Sequence, residues 1–185
     1  MALLPIITAP DARLKRKAAP VERVDGVVRR LLADMLETMY AAPGIGLAGP
    51  QIGHSLRVIV LDIADDDEDP APLKMINPEI TALAEESVDY EEGCLSLPEH
   101  YAKVVRPGGI TMRYLDESGT ARELRAEGML ATCIQHEIDH LDGIIFVDRV
   151  SLVRRNMILR KLTKAKKAEA KGPDKTPTGA PVAAE

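Results

Sequence analysis

The chain has 185 residues, 45% of them hydrophobic and 29% charged, with a formal net charge of −5. That length suits one domain with a real interior, and no apolar run approaches the ~20 residues that span a bilayer, so no membrane partner is expected. Aromatics are scarce (one Phe, four Tyr, no Trp), which leaves Leu, Ile and Val to fill the core.

Charge is distributed unevenly. Residues 151–185 hold nine Lys/Arg against three Asp/Glu, whereas 1–150 hold fifteen against twenty-six. The pattern reads as a basic appendage on an acidic domain rather than a uniform nucleic-acid surface, and no DNA partner is expected. Met1-Ala2-Leu3-Leu4-Pro5 has no basic segment leading into an apolar one, so it does not read as a signal peptide, and a cytoplasmic location is expected. In a reducing cytosol, Cys94 and Cys133 are more readily free thiols or ligands than a disulfide.

In chain order, the first helix starts at Asp25 as N-cap. Val27, Val28, Leu31, Leu32, Met35, Leu36 and Met39 then form one apolar stripe, ended by Pro43-Gly44. A glycine-rich stretch, Gly44 to Gly53, leads to a strand at Leu56 to Leu61. Asp65 to Pro72 is an acidic loop. Short strands are expected at 73–77, 79–84, 87–91, 109–115 and 120–126, separated by turn residues such as Gly108-Gly109 and Glu117-Ser118-Gly119. A second helix begins near Glu127 or Gly128, lines its inner side with Met129, Leu130, Cys133, Ile134 and Ile138, and stops at Asp142-Gly143. A last helix starts at Ser151 and occupies about 151–170. Residues 171–185 lack core formers and are expected to be a disordered tail. Strands gathered mid-chain between helices give an α+β fold: short, mainly antiparallel strands around a central helix, with further helices at the N- and C-terminal ends.

That central helix carries His136-Glu137-Ile138-Asp139-His140. Two histidines four positions apart lie one above the other on a helix and can grip one metal ion. The adjacent Glu137 can then serve as general base toward a bound water. The bland alternative is that Gln135, Glu137, Asp139 and Asp142 simply make a solvated polar face. A metal held by two histidines needs a third ligand and an open position. Cys94, after a glycine in Glu92-Gly93-Cys94-Leu95-Ser96, offers a soft, charged thiolate suited to iron or zinc. Cys133, three before His136, reads as a small buried apolar residue.

Gly44-Ile45-Gly46-Leu47-Ala48-Gly49-Pro50-Gln51, Glu92-Gly93-Cys94-Leu95-Ser96 and Gln135-His136-Glu137-Ile138-Asp139-His140 together resemble the three signature motifs of bacterial peptide deformylase, in the family's order and spacing. The likeness runs from the N-terminus to about residue 165. It implies a metal-dependent hydrolase that removes the formyl group from the N-terminal formyl-methionine of nascent polypeptides. One divalent ion is implied, usually Fe(II), with zinc, nickel or cobalt able to replace it. The ligands would be Cys94, His136 and His140. Glu137 would act as base and then acid, with the Gln51 side-chain amide and the Leu95 backbone N–H stabilising the formyl oxygen. Ile45, Tyr90, Met129 and Cys133 match positions lining the methionine slot. Backbone at Gly46 and at 90–92 would pair with an extended peptide. Glu92 and Arg106 match a pair that braces this wall.

Two departures stand out. Gly49 replaces the family's usual Ala, which is expected to loosen the loop carrying Gln51. Tyr101 stands where some members have Arg at the mouth. Residues 1–170 are expected to form one catalytic domain, whose basic C-terminal helix either simply solvates or docks on ribosomal RNA. Two rivals are a zinc endopeptidase and a catalytically silent binding module. The endopeptidase draws its third ligand downstream, where no further histidine occurs. The silent module needs neither Glu137 nor Gln51.

Overall fold

A computed structural model describes residues 2–64 and 69–171. The expected tail, apart from Lys171 at the end of the last helix, and most of the acidic 65–69 stretch lie outside the described residues. Helix α1 (Gly26–Ala41) is capped by Asp25, whose carboxylate accepts the N–H groups of Val27 and Val28 at 2.9 and 3.1 Å. Val28, Leu32, Met35 and Met39 are its buried apolar stripe, and they pack on strands β1 (Gly46–Ala48), β2 (Val58–Leu61) and β3 (Leu73–Leu83). Val27, counted in that stripe from its spacing, is 76% exposed.

Strands β4 (Ser87–Glu92) and β5 (Ala102–Pro107) form a separate two-stranded sheet, while β6 (Gly109–Leu115) and β7 (Ala121–Glu127) complete a five-stranded one. Its order is β1-β2-β3-β6-β7, antiparallel throughout. Helix α2 (Gly128–Leu141) lies against this sheet, with Ile134, Ile138 and Leu141 packed on Ile59, Leu61, Met75 and Met112. A single 3-10 turn (Phe146–Arg149) leads into α3 (Leu152–Lys171). Ser151 accepts the Arg154 N–H there, and Ile158 and Leu162 join Leu14, Val104 and Phe146 in a second core.

The α+β architecture is the expected one, with three local corrections. The strands expected at 73–77 and 79–84 are one strand, because Asn77 takes a left-handed φ of 51° and shifts the register without ending the pairing. β1 and β5 were not anticipated. Met129, expected on the inner side of α2, is 43% exposed.

Candidate metal centre

Every residue of α2 from Ala131 to Leu141 is buried. The solvated-face reading of Gln135, Glu137 and Asp139 is therefore excluded. Helical periodicity sets His136 and His140 one turn apart, with ring centroids 5.0 Å from each other and the planes at 72°. Cys94, just past the end of β4, enters from the other side. Its Sγ lies 3.2 Å from His140 Nε2. One ligand atom from each of Cys94, His136 and His140 falls within 4.8 Å of the others, so the three fit a divalent metal site.

Two further observations support that fit. Glu137 Oε2 is buried without a hydrogen-bond partner, an expensive arrangement unless something polar faces it. Electrostatics point the same way. Burial disfavours charge on His136, yet the Cys94 thiol and the Glu92 carboxylate outweigh it and raise its pKa well above the ordinary value. The pocket thus draws a positive charge, and a cation would use the same field. Burial keeps His140 neutral, pulling its pKa well down, which leaves an imidazole lone pair for coordination.

His136 is aimed from behind. Its Nδ1 lies 2.8 Å from Glu92 Oε2, the outer hydrogen bond that fixes a ligating imidazole's tautomer and orientation. Burial pushes the Glu92 carboxyl up, but bonds from His136 and Arg106 prevail and leave it at about 2. Glu137 differs. Burial pushes its carboxyl up to about 7, with His136 and Arg106 pulling against that and Glu92 and Asp139 adding to it. A carboxyl poised near neutrality can both take and give a proton.

Gln51 sits in a 3-10 turn (Gly49–Ile52) directly after β1. Its Oε1 accepts the Ala48 N–H at 2.8 Å, which turns Nε2 toward Cys94 Sγ (3.5 Å) and Ser96 Oγ (3.2 Å). Gly49 does not loosen this loop. A Cβ there would come within 2.7 Å of the Leu56 carbonyl oxygen and 2.8 Å of His54's, so the backbone is closely packed around it. Gly46 matters for the same reason. A Cβ at that position would strike the Glu137 carboxylate and lie 3.1 Å from Cys133 Sγ.

A cavity of about 480 Å³ opens beside these groups, within the range of small-molecule sites. Ile45, Gly46, Tyr90, Met129 and Cys133 all line it, as do Glu92 and Leu95. Cys133 is buried, and burial raises its thiol pKa well above normal, so it stays neutral. Among the described residues β1 and β4 each pair on one side only, and the cavity is lined by Ile45 and Gly46 at the start of β1 and by Tyr90 of β4. Tyr101 stands at the mouth, its ring against Gly93. Of the site residues expected from the sequence, all but His140 and Arg106 line this one cavity; His140 meets it through Cys94 Sγ, and Arg106 braces Glu92 behind it.

Four neighbours were not anticipated. Ser96 takes the Gln51 amide, Thr132 lines the cavity, Phe146 stacks on His136 at 6.3 Å, and Asp139 binds Arg106. Asp139, set between the histidines, and Ser96, closing the Cys94 motif, carried a signal; Thr132 and Phe146 carried none.

Residues 3–156 match the family described as polypeptide deformylase. The chain is 52% identical over 172 residues to the peptide deformylase of Mesorhizobium japonicum, covering 93% of this chain and 98% of that one. Among solved structures, the Legionella pneumophila peptide deformylase superposes with a TM-score of 0.84 at 45% identity, over 93% of this chain and all of that one (100%). The Ehrlichia chaffeensis peptide deformylase in complex with actinonin gives 0.86 at 40% identity, over 90% and 99%. With a matching family signature, close relatives and shared architecture around one Cys/His₂ cluster, the chain belongs to the peptide deformylase family.

Proposed function

We propose that Cys94, His136 and His140 hold one Fe(II) ion, and that Glu137 carries the proton through the reaction. The reaction is the family's: hydrolysis of the formyl amide on the N-terminal methionine of nascent polypeptides, with formate released. When bound, such an ion supplies Lewis acidity and makes water a usable nucleophile near neutral pH. Zinc, nickel or cobalt would also be accepted, because thiolate and imidazole donors suit each.

The chain's own residues supply the rest. Glu137 takes the proton of the attacking water on its carboxylate and returns it to the departing amine. The Gln51 amide and the Leu95 backbone N–H donate to the formyl oxygen as charge gathers on it. An unbranched methionine side chain fits the slot of Ile45, Tyr90, Met129 and Cys133. Peptide backbone beyond it adds as a strand between Gly46 and residues 90–92, which leaves sequence preference loose. The observation carrying all of this is the placement of Glu137 on α2 between two histidines, with Cys94 opposite them.

Residues 1–170 act as one catalytic domain in the cytoplasm, where formylated chains emerge from ribosomes. No described helix is long and apolar enough to cross a membrane. On α3, Arg160, Lys161, Lys164 and Lys167 are exposed, with no acidic residue between 154 and 167. That face is proposed to dock on ribosomal RNA through its phosphates. The deciding experiment is an anaerobic assay of formate release from a formyl-methionyl peptide, with metal analysis. Formate with one ion per chain is expected. Metal bound without formate release would leave a silent binding module.

A further inference from the structure

The charge network behind His136 does not end at Glu92. Arg106 holds Glu92 through Nε (2.5 Å) and Nη2 (3.0 Å), then reaches Asp139 Oδ2 through Nη1 at 2.8 Å. Asp139 in turn accepts Nε of Arg149 at 3.0 Å and also its Nη2. The side chains of Glu92, Arg106 and Asp139 are 5%, 4% and 9% exposed, whereas Arg149 is 44% exposed. Two buried carboxylates thus share one buried guanidinium. Arg149 brings the missing positive charge from the surface.

We infer that Arg149 is a positioning residue for the metal centre, acting through Asp139, Arg106 and Glu92 on the orientation of His136. This rests on the proposed role of His136 as a ligand. With Arg149 satisfying both oxygens of Asp139, Arg106 gives that carboxylate a single N–H and keeps two for Glu92. Glu92 is then fixed, and its Oε2 aims the His136 ring. Without Arg149, Asp139 is a buried carboxylate with one partner, and it competes with Glu92 for the same guanidinium. The grip on Glu92 slackens, and the imidazole it orients gains freedom.

The same 3-10 turn reaches His136 by a second route, since Phe146 lies over the imidazole with the planes 25° apart. It also supplies a control. Asp148 of that turn is held by Lys15 and by Arg155 Nε at 3.0 Å, an anchor outside the hydrogen-bonded chain from Arg149 to His136.

The test uses full-length protein reconstituted with Co(II), reading its dissociation constant by chelator competition and the visible bands of the saturated form. Arg149→Gln should weaken Co(II) binding about 5- to 10-fold and shift the bands, at or below the low end of the ~10–100-fold typical when a directly bonded outer partner is lost. Arg149→Lys should recover part of the loss, because charge returns without the two-pronged fork. Arg155→Gln should bind within about twofold of wild type, since it touches no member of the network. An unchanged constant and spectrum in Arg149→Gln would overturn the inference. So would an equal loss in Arg155→Gln, which would assign the effect to anchoring of the turn. Wild-type protein that takes up no Co(II), or a Cys94→Ala variant that binds it as tightly, would instead remove the metal site itself, and this inference with it.

Discussion

Helices α2 and α3 both carry polar side chains at helical spacing, and the fold treats the two sets in opposite ways. In α2, Gln135, His136, Glu137, Asp139 and His140 are all buried. In α3, Arg160, Lys161, Lys164 and Lys167 face solvent while Ile158 and Leu162 hold the helix to the core. Burying an ion costs several kcal/mol even after relaxation, so the α2 set persists only because its charges are paired or face the cavity. Exposed lysines cost almost nothing and reveal little about what they do. The difference predicts a gradient: changes in the α2 set should damage chemistry or stability severely, and changes on α3 should spare both.

The steepest point on that gradient is Glu137. Replacing it with Ala should lower turnover of a formyl-methionyl peptide by about 10²–10⁴-fold, the usual contribution of a positioned acid–base group. Metal content should be unchanged, so formate release and metal analysis are measured on the same sample. A variant working at near wild-type rate would shift proton transfer to another group. Gln51 comes next. Gln51→Ala removes one donor to the formyl oxygen and should cost about 10²–10³-fold in kcat. A change confined to KM would make Gln51 a binding residue only. Arg106 tests the buried charges as a structural element. Arg106→Met strands Glu92 and Asp139 and should destabilise the fold by about 3–5 kcal/mol in urea unfolding. Loss of much less would mean that Arg149 and solvent can compensate.

The same contrast explains what the sequence disclosed. The α1 stripe, the limits of α2 and the three metal-site residues were legible because each rests on spacing along one element or on a residue type with narrow chemistry. β5 was not. Its inward positions are Ala102, Val104 and Arg106, and its outward ones are Lys103 and Val105. A buried arginine facing in and an exposed valine facing out cancel the alternation that marks a strand. β1 is three residues, Gly46–Ala48, all buried, too short for any period. The network from Glu92 to Arg149 was only half visible for a different reason: its members come from β4, β5, α2 and the following turn, and they meet only in three dimensions.

The shallow end of the gradient is α3, and there the variant must be chosen with care. Truncating the helix would strip Ile158 and Leu162 from the core shared with Leu14 and Phe146, so any lost activity would report unfolding. Replacing Arg160, Lys161, Lys164 and Lys167 with Gln leaves that packing intact. The α3 residue that pairs with Asp148 is Arg155, which is not one of the four. Each substitution should therefore change stability by no more than about 0.5 kcal/mol, with peptide turnover held near wild type. If the face meets ribosomal RNA, co-sedimentation with ribosomes at low salt should weaken. The slope of log affinity against log salt should flatten by about 0.7–0.9 for each phosphate that is no longer neutralised. Identical co-sedimentation across the salt series would make these charges solvating groups and nothing more. The contrast between the helices would then be complete, with every functional charge of the pair on the buried one.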